Sequence, residues 1–229
     1  MPTVDLAITP LRELNSMLHK LSPDTNETHW DVRNPQGIHA IAAGVDAPVT
    51  IEVGGHVGYY CGGMNKRAVI KVAGNAGVGV GENMMSGEIH IKGDASQSAG
   101  ATGHGGMLVI DGNASARCGI SMKGIDIVVK GSIGPMSAFM AQAGNLVVLG
   151  DAGEALGDSI YEARLFVRGS VKSLGADCIE KEPTEADLAI LADLLKRAGF
   201  NGEVSAQDFR LYGSARRLYN FHVDNISSY

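Results

Sequence analysis

The residues of this chain with the chemistry to build a site are its histidines, its cysteines, one glycine run and a spaced pair of aspartates. His56, His90 and His104 lie 34 and 14 residues apart, separations that match no metal-ligand motif, so they read as surface or turn histidines. Cys61, Cys118 and Cys178 are too few and too scattered for a disulfide framework and fit a reducing, cytoplasmic setting. Gly77-Val-Gly79-Val-Gly81 invites a phosphate-loop reading. Such a loop follows a strand and opens a helix, whose N-terminus meets the anion; here the next residues run into another strand-like segment. Asp94 and Asp151 would have to stand ~5–9.5 Å apart to act as a glycosidase pair.

A repeat decides where these residues go. Of 31 glycines, 26 lie between Gly54 and Gly175. Gly55, Gly74, Gly93, Gly112, Gly131, Gly150 and Gly169 recur among them at a strict period of 19. Two residues before each stands Val53, Val72, Ile91, Ile110, Val129, Val148 or Val167. After most of them comes a short polar residue: Asn75, Asp94, Asn113, Ser132, Asp151, Ser170. A fixed period near 20 means a stacked solenoid. Segments such as Val69–Val72 and Glu88–Ile91 are short and β-branched, hence strands. Alternation turns Ile70, Ile89, Leu108, Ile127, Leu146 and Leu165 inward. The seven glycines are expected at corners with positive φ, and the polar residue after each is expected to bond its own backbone. The chain therefore reads as all-β, a parallel β-helix of about seven 19-residue coils stacked ~4.8 Å apart.

The period also disposes of the candidate pairs. Asp94 and Asp151 are three coils apart, ~14 Å at the strand spacing, too far for glycosidase chemistry. Cys61 and Cys118 share a phase with Val80, Ala99, Ser137 and Leu156; also ~14 Å apart, they are too far for a disulfide and read as buried and inert. No nucleophile–base pair, metal cluster or cofactor fingerprint remains, so the chain is expected to carry no catalytic, cofactor-binding or metal-ligating residue.

The flanks divide the chain into residues 1–48, an N-terminal helix and cap; 49–178, the β-helix; and 179–229, a C-terminal helix and a docking tail. Thr9-Pro10 is expected as N-cap and first helical residue, ahead of Leu11, Leu14, Leu18 and Leu21 at helical spacing. The second helix runs from Glu185 to Ala198 with Gly199 as its stop. On the outward face of the strands one row reads Lys71, His90, Val109, Val128, Val147, Phe166. Its last four members are apolar, so a partner or a terminal helix of the same chain should cover them. Nearby Asp126 points outward and is expected to be dispensable. Six of the twelve aromatics fall in the last 30 residues. Phe209, Tyr212, Arg216, Arg217, Tyr219 and Phe221 are of types enriched at interface cores, which makes Phe209 to Tyr229 a candidate docking arm, with a cap on the last coil as the alternative.

Composition narrows the class further. A net charge of −6 without a basic cluster argues against a nucleic-acid surface. No apolar run approaches the ~18–20 residues of a membrane span, and Met1-Pro-Thr-Val-Asp-Leu lacks the features of a secretory signal. A self-contained carbohydrate-active β-helix would need aligned aromatics or carboxylates; Tyr59, Tyr60, Phe139, Tyr161 and Phe166 do not line up.

The repeated apolar-x-Gly-[Asn/Asp/Ser]-Ala unit, densest at Gly77-Val-Gly79-Val-Gly81, resembles the GXGXG domain of glutamate synthase over about Val49 to Cys178. With its tail Phe209-Arg-Leu-Tyr-Gly-Ser-Ala-Arg-Arg-Leu-Tyr-Asn-Phe, the chain resembles the stand-alone β-helix subunits of the N-methylglutamate synthase family. The resemblance implies a right-handed parallel β-helix serving as an architectural subunit. It implies a glutaminase-like partner and a synthase-like partner that carries FMN and an iron–sulfur cluster, with no cofactor on this chain. The family reaction joins methylamine and glutamate into N-methylglutamate with release of ammonia. A similar β-helix occurs in formylmethanofuran dehydrogenase, so the repeat alone leaves the enzyme open.

Overall fold

The computed structural model describes residues 1–200 and 202–216. Eleven strands form one sheet. They are β1 (Thr3–Asp5), β2 (His29–Arg33), β3 (Thr50–Val53), β4 (Val69–Val72), β5 (Glu88–Ile91), β6 (Met107–Ile110), β7 (Lys123–Val129), β8 (Ala143–Val148), β9 (Arg164–Val167), β10 (Cys178–Lys181) and β11 (Arg210–Ser214). From β1 to β9 each strand pairs in parallel with the next. Among the described residues there are two α-helices, α1 (Leu11–His19) and α2 (Glu185–Arg197). This is a parallel β-solenoid of about seven turns.

The 19-residue period becomes register. Ile51 pairs with Ile70, Ile70 with Ile89, Ile89 with Leu108, and so on to Leu165. These side chains are fully buried in one continuous core. Two further ladders run up the stack. One-residue parallel bridges link Val57, Ala76, Ala95, Ala114, Ile133, Ala152 and Val171. At the bend of each coil, residues in left-handed conformation alternate with ordinary ones, as at Tyr60, Gly62 and Met64 or Ser98, Gly100 and Thr102. Their N–H groups point alternately to the coil after and the coil before: Tyr60 donates to Val78 O, Gly62 to Ile41 O and Met64 to Glu82 O, each at 2.9 Å. Left-handed backbone costs ~1–2 kcal/mol for a non-glycine residue; here the inter-coil hydrogen bonds it enables hold it in place. Cys61, Val80, Ala99, Cys118 and Leu156 fill the interior behind this bend.

The corner glycines serve a different purpose from the one expected. Among the seven, only Gly55 has positive φ (153°). The rest are excluded from bearing a side chain by the coil before: a Cβ on Gly74 would sit 2.7 Å from the Gly55 and His56 backbone, and one on Gly93 or Gly131 would strike the amide oxygen of Asn75 or Asn113. Those polar side chains do not bond their own backbone. Asn75 Oδ1 accepts from the Asp94 N–H (3.0 Å), Asp94 Oδ1 from Asn113 (2.7 Å), Asn113 Oδ1 from Ser132 (2.9 Å), Ser132 Oγ from Asp151 (2.9 Å) and Asp151 Oδ1 from Ser170 (2.7 Å). Each side chain climbs one coil, through the space that the next glycine leaves empty.

The ends also depart from the expected division. The ladder continues through β2 to β1, so the parallel stack reaches well before residue 49. Helix α1 closes its N-terminal mouth with Leu14 and Leu18. Asn15 Nδ2 donates to Ala40 O, and Asn15 Oδ1 accepts from the Ala42 N–H, which satisfies backbone groups of the terminal coil. The N-cap is Pro10 rather than Thr9, with no side-chain cap. At the other end β11 inserts antiparallel between β9 and β10. Phe209 and Tyr212 are therefore buried within the fold rather than presented on an arm: Tyr212 lies in β11, which takes the open edge of β9, and Phe209 immediately precedes that strand. Arg217, Tyr219 and Phe221 lie outside the described residues.

Candidate functional site

The outward row beside the core divides the sheet face in two. In register it reads Asp31, Glu52, Lys71, His90, Val109, Val128, Val147, Phe166. The last four are buried, packed with Met107 against Leu191, Leu194 and Leu195 of α2, against Ala198 at its C-terminal cap and against Phe209 and Leu211. The cover is the chain's own helix, so Val109, Val128, Val147 and Phe166 offer no surface to a partner. The apolar face of α2, at i, i+3 and i+4, matches a row of side chains from successive coils. Removing the four row side chains from water stabilises the packing by ~1.5–3 kcal/mol each at full burial.

Polar contacts fix α2 in place. Thr184 caps it: Thr184 Oγ1 accepts from the Asp187 N–H at 3.2 Å, and Asp187 Oδ2 accepts from the Thr184 N–H at 2.9 Å. Asp187 Oδ1 also accepts from Arg164 Nε of β9 at 2.8 Å. Burial raises the Asp187 pKa, but the Thr184 hydroxyl and N–H and the Arg164 guanidinium outweigh it, so the carboxyl titrates below its ordinary value. At the other end of the helix Arg197 reaches Asp126 at 3.4 Å, and Asn145 Nδ2 donates to Asp126 Oδ1 at 2.7 Å. Asp126 is thus outward, as expected, but not idle.

The other half of the face is open. Asp31, Glu52, Lys71, His90, Lys92 and Asp111 line a shallow concavity of about 460 Å³ floored by the strand backbone. Lys71 lies 3.8 Å from Glu52, both side chains more than half exposed. His90 Nε2 is 3.3 Å from Glu88, and Lys92 and Lys130 both reach Asp111 at 2.8 Å. Burial acts to raise the Asp111 pKa, but those two ammonium groups bring it below its ordinary value.

The remaining candidates sit apart. His56 Nδ1 accepts from the Asn75 N–H at 2.9 Å and starts the corner ladder. His39 Nδ1 accepts from the Tyr59 N–H, and its ring stacks on Tyr59 at 4.4 Å. Asp151 titrates below its ordinary value because the Ser170 N–H and hydroxyl donate to it. Burial pushes the Cys61 and Cys118 thiols up to about 12. Burial first, then the Asp177 carboxylate, does the same to Cys178. Among the described residues no three His, Cys, Asp or Glu side chains gather as metal ligands, and no helix is long and apolar enough to cross a membrane. Arg216, the one candidate tail residue both described and exposed, pairs with Glu162 at 2.9 Å. Sequence reasoning missed the inter-coil ladder and the anchoring roles of Asp126, Arg164 and Asp187; the 19-residue recurrence of Asn, Asp and Ser was the available signal for the first.

No protein-family model matches the chain, and no solved structure does. A protein of Rhizobium meliloti (strain 1021) described as Protein GlxC is 62% identical over 229 residues, covering 100% of both chains. Identity at that level over the full length of both chains shows that this chain belongs to the GlxC family.

Proposed function

We propose that the chain is an architectural subunit of a glutamate-synthase-related complex, of the N-methylglutamate synthase type. The observation that carries this reading is the unbroken solenoid itself. Its nine parallel strands, corner ladder and bend ladder form a stiff prism whose repeat resembles the glutamate-synthase β-helix. Enzymes of that type release a reactive small nitrogen compound at one centre and consume it at another. A close-packed prism between two subunits fixes the distance between such centres and transmits strain rather than absorbing it. In this reading the partners are a glutaminase-like subunit and a cytoplasmic synthase-like subunit that holds FMN and an iron–sulfur cluster. The docking arm is the tail beyond Arg216, including Arg217, Tyr219 and Phe221.

The test is affinity purification of the full chain from cells grown on methylamine. The expected result is co-purification of a flavin- and iron-containing subunit and a glutaminase-like subunit, with N-methylglutamate formation in the isolated complex. A chain that purifies without either subunit overturns the proposal. Deleting residues 217–229 should leave the β-rich circular dichroism unchanged and abolish co-purification.

A further inference from the structure

We propose that the cavity at the C-terminal end of the solenoid, between β9, β10, β11 and the start of α2, binds a small zwitterion of the α-amino acid type. The cavity encloses about 250 Å³. That is below the ~300–1,000 Å³ of pockets that take drug-sized ligands, so its occupant is a small metabolite. The cavity forms where β11 inserts between β9 and β10 and the chain turns from β10 into α2, a departure from the repeat. Leu211, Tyr212 and Gly213 of β11, all buried, make its floor.

The charged groups around it divide into those already matched and those left over. Asp187 has both oxygens engaged: Oδ1 accepts from Arg164 Nε, and Oδ2 accepts from the Thr184 N–H and hydroxyl. Glu162 Oε2 accepts from Arg216 Nη2 at 2.9 Å. Lys181 and Glu182 remain. Both line the cavity, and neither makes an ion pair or a side-chain hydrogen bond among the described residues.

Lys181 is half-buried. Its Cδ, Cε and Nζ all lie 3.6 Å from where a Cβ on Gly213 would stand, which lays the ammonium over β11, the strand beside Arg164 of β9. Arg164 uses only Nε towards Asp187, so its two Nη groups remain as donors. Partial burial of an ammonium group without a counter-ion is unfavourable. A ligand carboxylate held between Lys181 Nζ and the Arg164 Nη groups supplies that counter-ion through charge-assisted hydrogen bonds. At the rim the exposed Glu182 carboxylate then meets an ammonium group on the same small molecule. A simple carboxylic acid or a simple amine would satisfy one wall and leave the other unmatched.

Saturation-transfer NMR and calorimetry on the purified full chain test this without any partner subunit, so the outcome is independent of the proposed complex. Glycine, L-alanine and L-glutamate are the probes, with acetate and methylamine as ligands carrying one charge only. The expected result is binding of at least one of the amino acids at millimolar concentration or below, and binding of acetate and methylamine about tenfold weaker or less. Lys181→Met should weaken amino-acid binding by about tenfold and Glu182→Gln by about fivefold. Both variants should melt like the parent, because neither side chain pairs within the fold. Lys71→Met, the same loss of charge on the remote open face, should leave binding unchanged. Absence of binding by all three amino acids, a Lys181→Met chain that binds like the parent, or acetate that binds as tightly as the amino acids would each overturn the proposal.

Discussion

The two halves of one sheet face share strand direction, register and outward phase, yet they meet opposite fates. Over β2 to β5 the outward row is charged and more than half exposed at Glu52 and Lys71; over β6 to β9 it is apolar and buried. The outward row itself keeps one unbroken register through both halves, so what separates them along that row is the residue each coil presents and where α2 lands. Leu191, Leu194 and Leu195 need an apolar strip, and the chain supplies one only from Val109 onward. Outward phase in a solenoid therefore does not mean exposure. The residue type along a row reports whether something covers it.

That contrast can be broken most severely from beneath the helix. Val147→Asp would bury an unpaired carboxylate in the covered half and should cost on the order of 3–5 kcal/mol or prevent folding. Leu108→Asp on the inner face should do the same, as read by thermal melts. Lys71→Asp, in the same outward phase as Val147, should shift monomer stability by less than about 0.5 kcal/mol. Equal losses at 147 and 71 would mean that cover does not distinguish the halves.

Truncation gives the next largest effect. Removing residues 210–229 takes away β11, which pairs with both β9 and β10 and carries Leu211 onto the α2 cluster. That variant should melt markedly lower or aggregate, whereas removing 217–229 should leave the melt unchanged.

Asp187→Ala sharpens the comparison electrostatically. It removes half of a capping box and the Arg164 partner, and should cost ~1–2 kcal/mol at neutral pH. The folded carboxyl titrates below its ordinary value, so its contribution is fully present above the unfolded pKa of ~3.9. It is lost as pH falls through the lower folded pKa. The gap between wild type and variant should therefore close on acidification below about pH 4, as seen in urea melts at stepped pH. Asp126→Asn should have a smaller effect, up to about 1 kcal/mol, since it weakens a partly exposed pair to Arg197. Smallest of all is Lys71→Ala, which leaves the open half with nothing buried to lose.

How far each feature could be read ahead of the fold depends on the range of its interactions. The strands, the inward row from Ile70 to Leu165 and the buried Cys61 and Cys118 follow from period and alternation, because a parallel stack turns a sequence period directly into register. The corner glycines were legible as a row but not in their cause. A positive φ is a local property and can be guessed locally; a clash with Asn75 or Asn113 one coil below exists only once the coils are stacked. The same holds for Asn75 to Ser170, whose acceptors reach 19 residues ahead.

Sequence by itself determined the coil length, the phase of the strands from β3 to β9 and the apolar stripe at Val109, Val128, Val147 and Phe166, since each rests on residue type at fixed spacing. Only the tertiary structure decided what lies on that stripe. A helix with a leucine face can cap an end or lie on a side, and its own periodicity is the same in both cases. The choice was made by contacts far apart in the chain: Arg164 to Asp187, Asp126 to Arg197 and the antiparallel insertion of β11 beside β9. Those contacts closed one half of the face and left Glu52, Lys71 and His90 in water on the other.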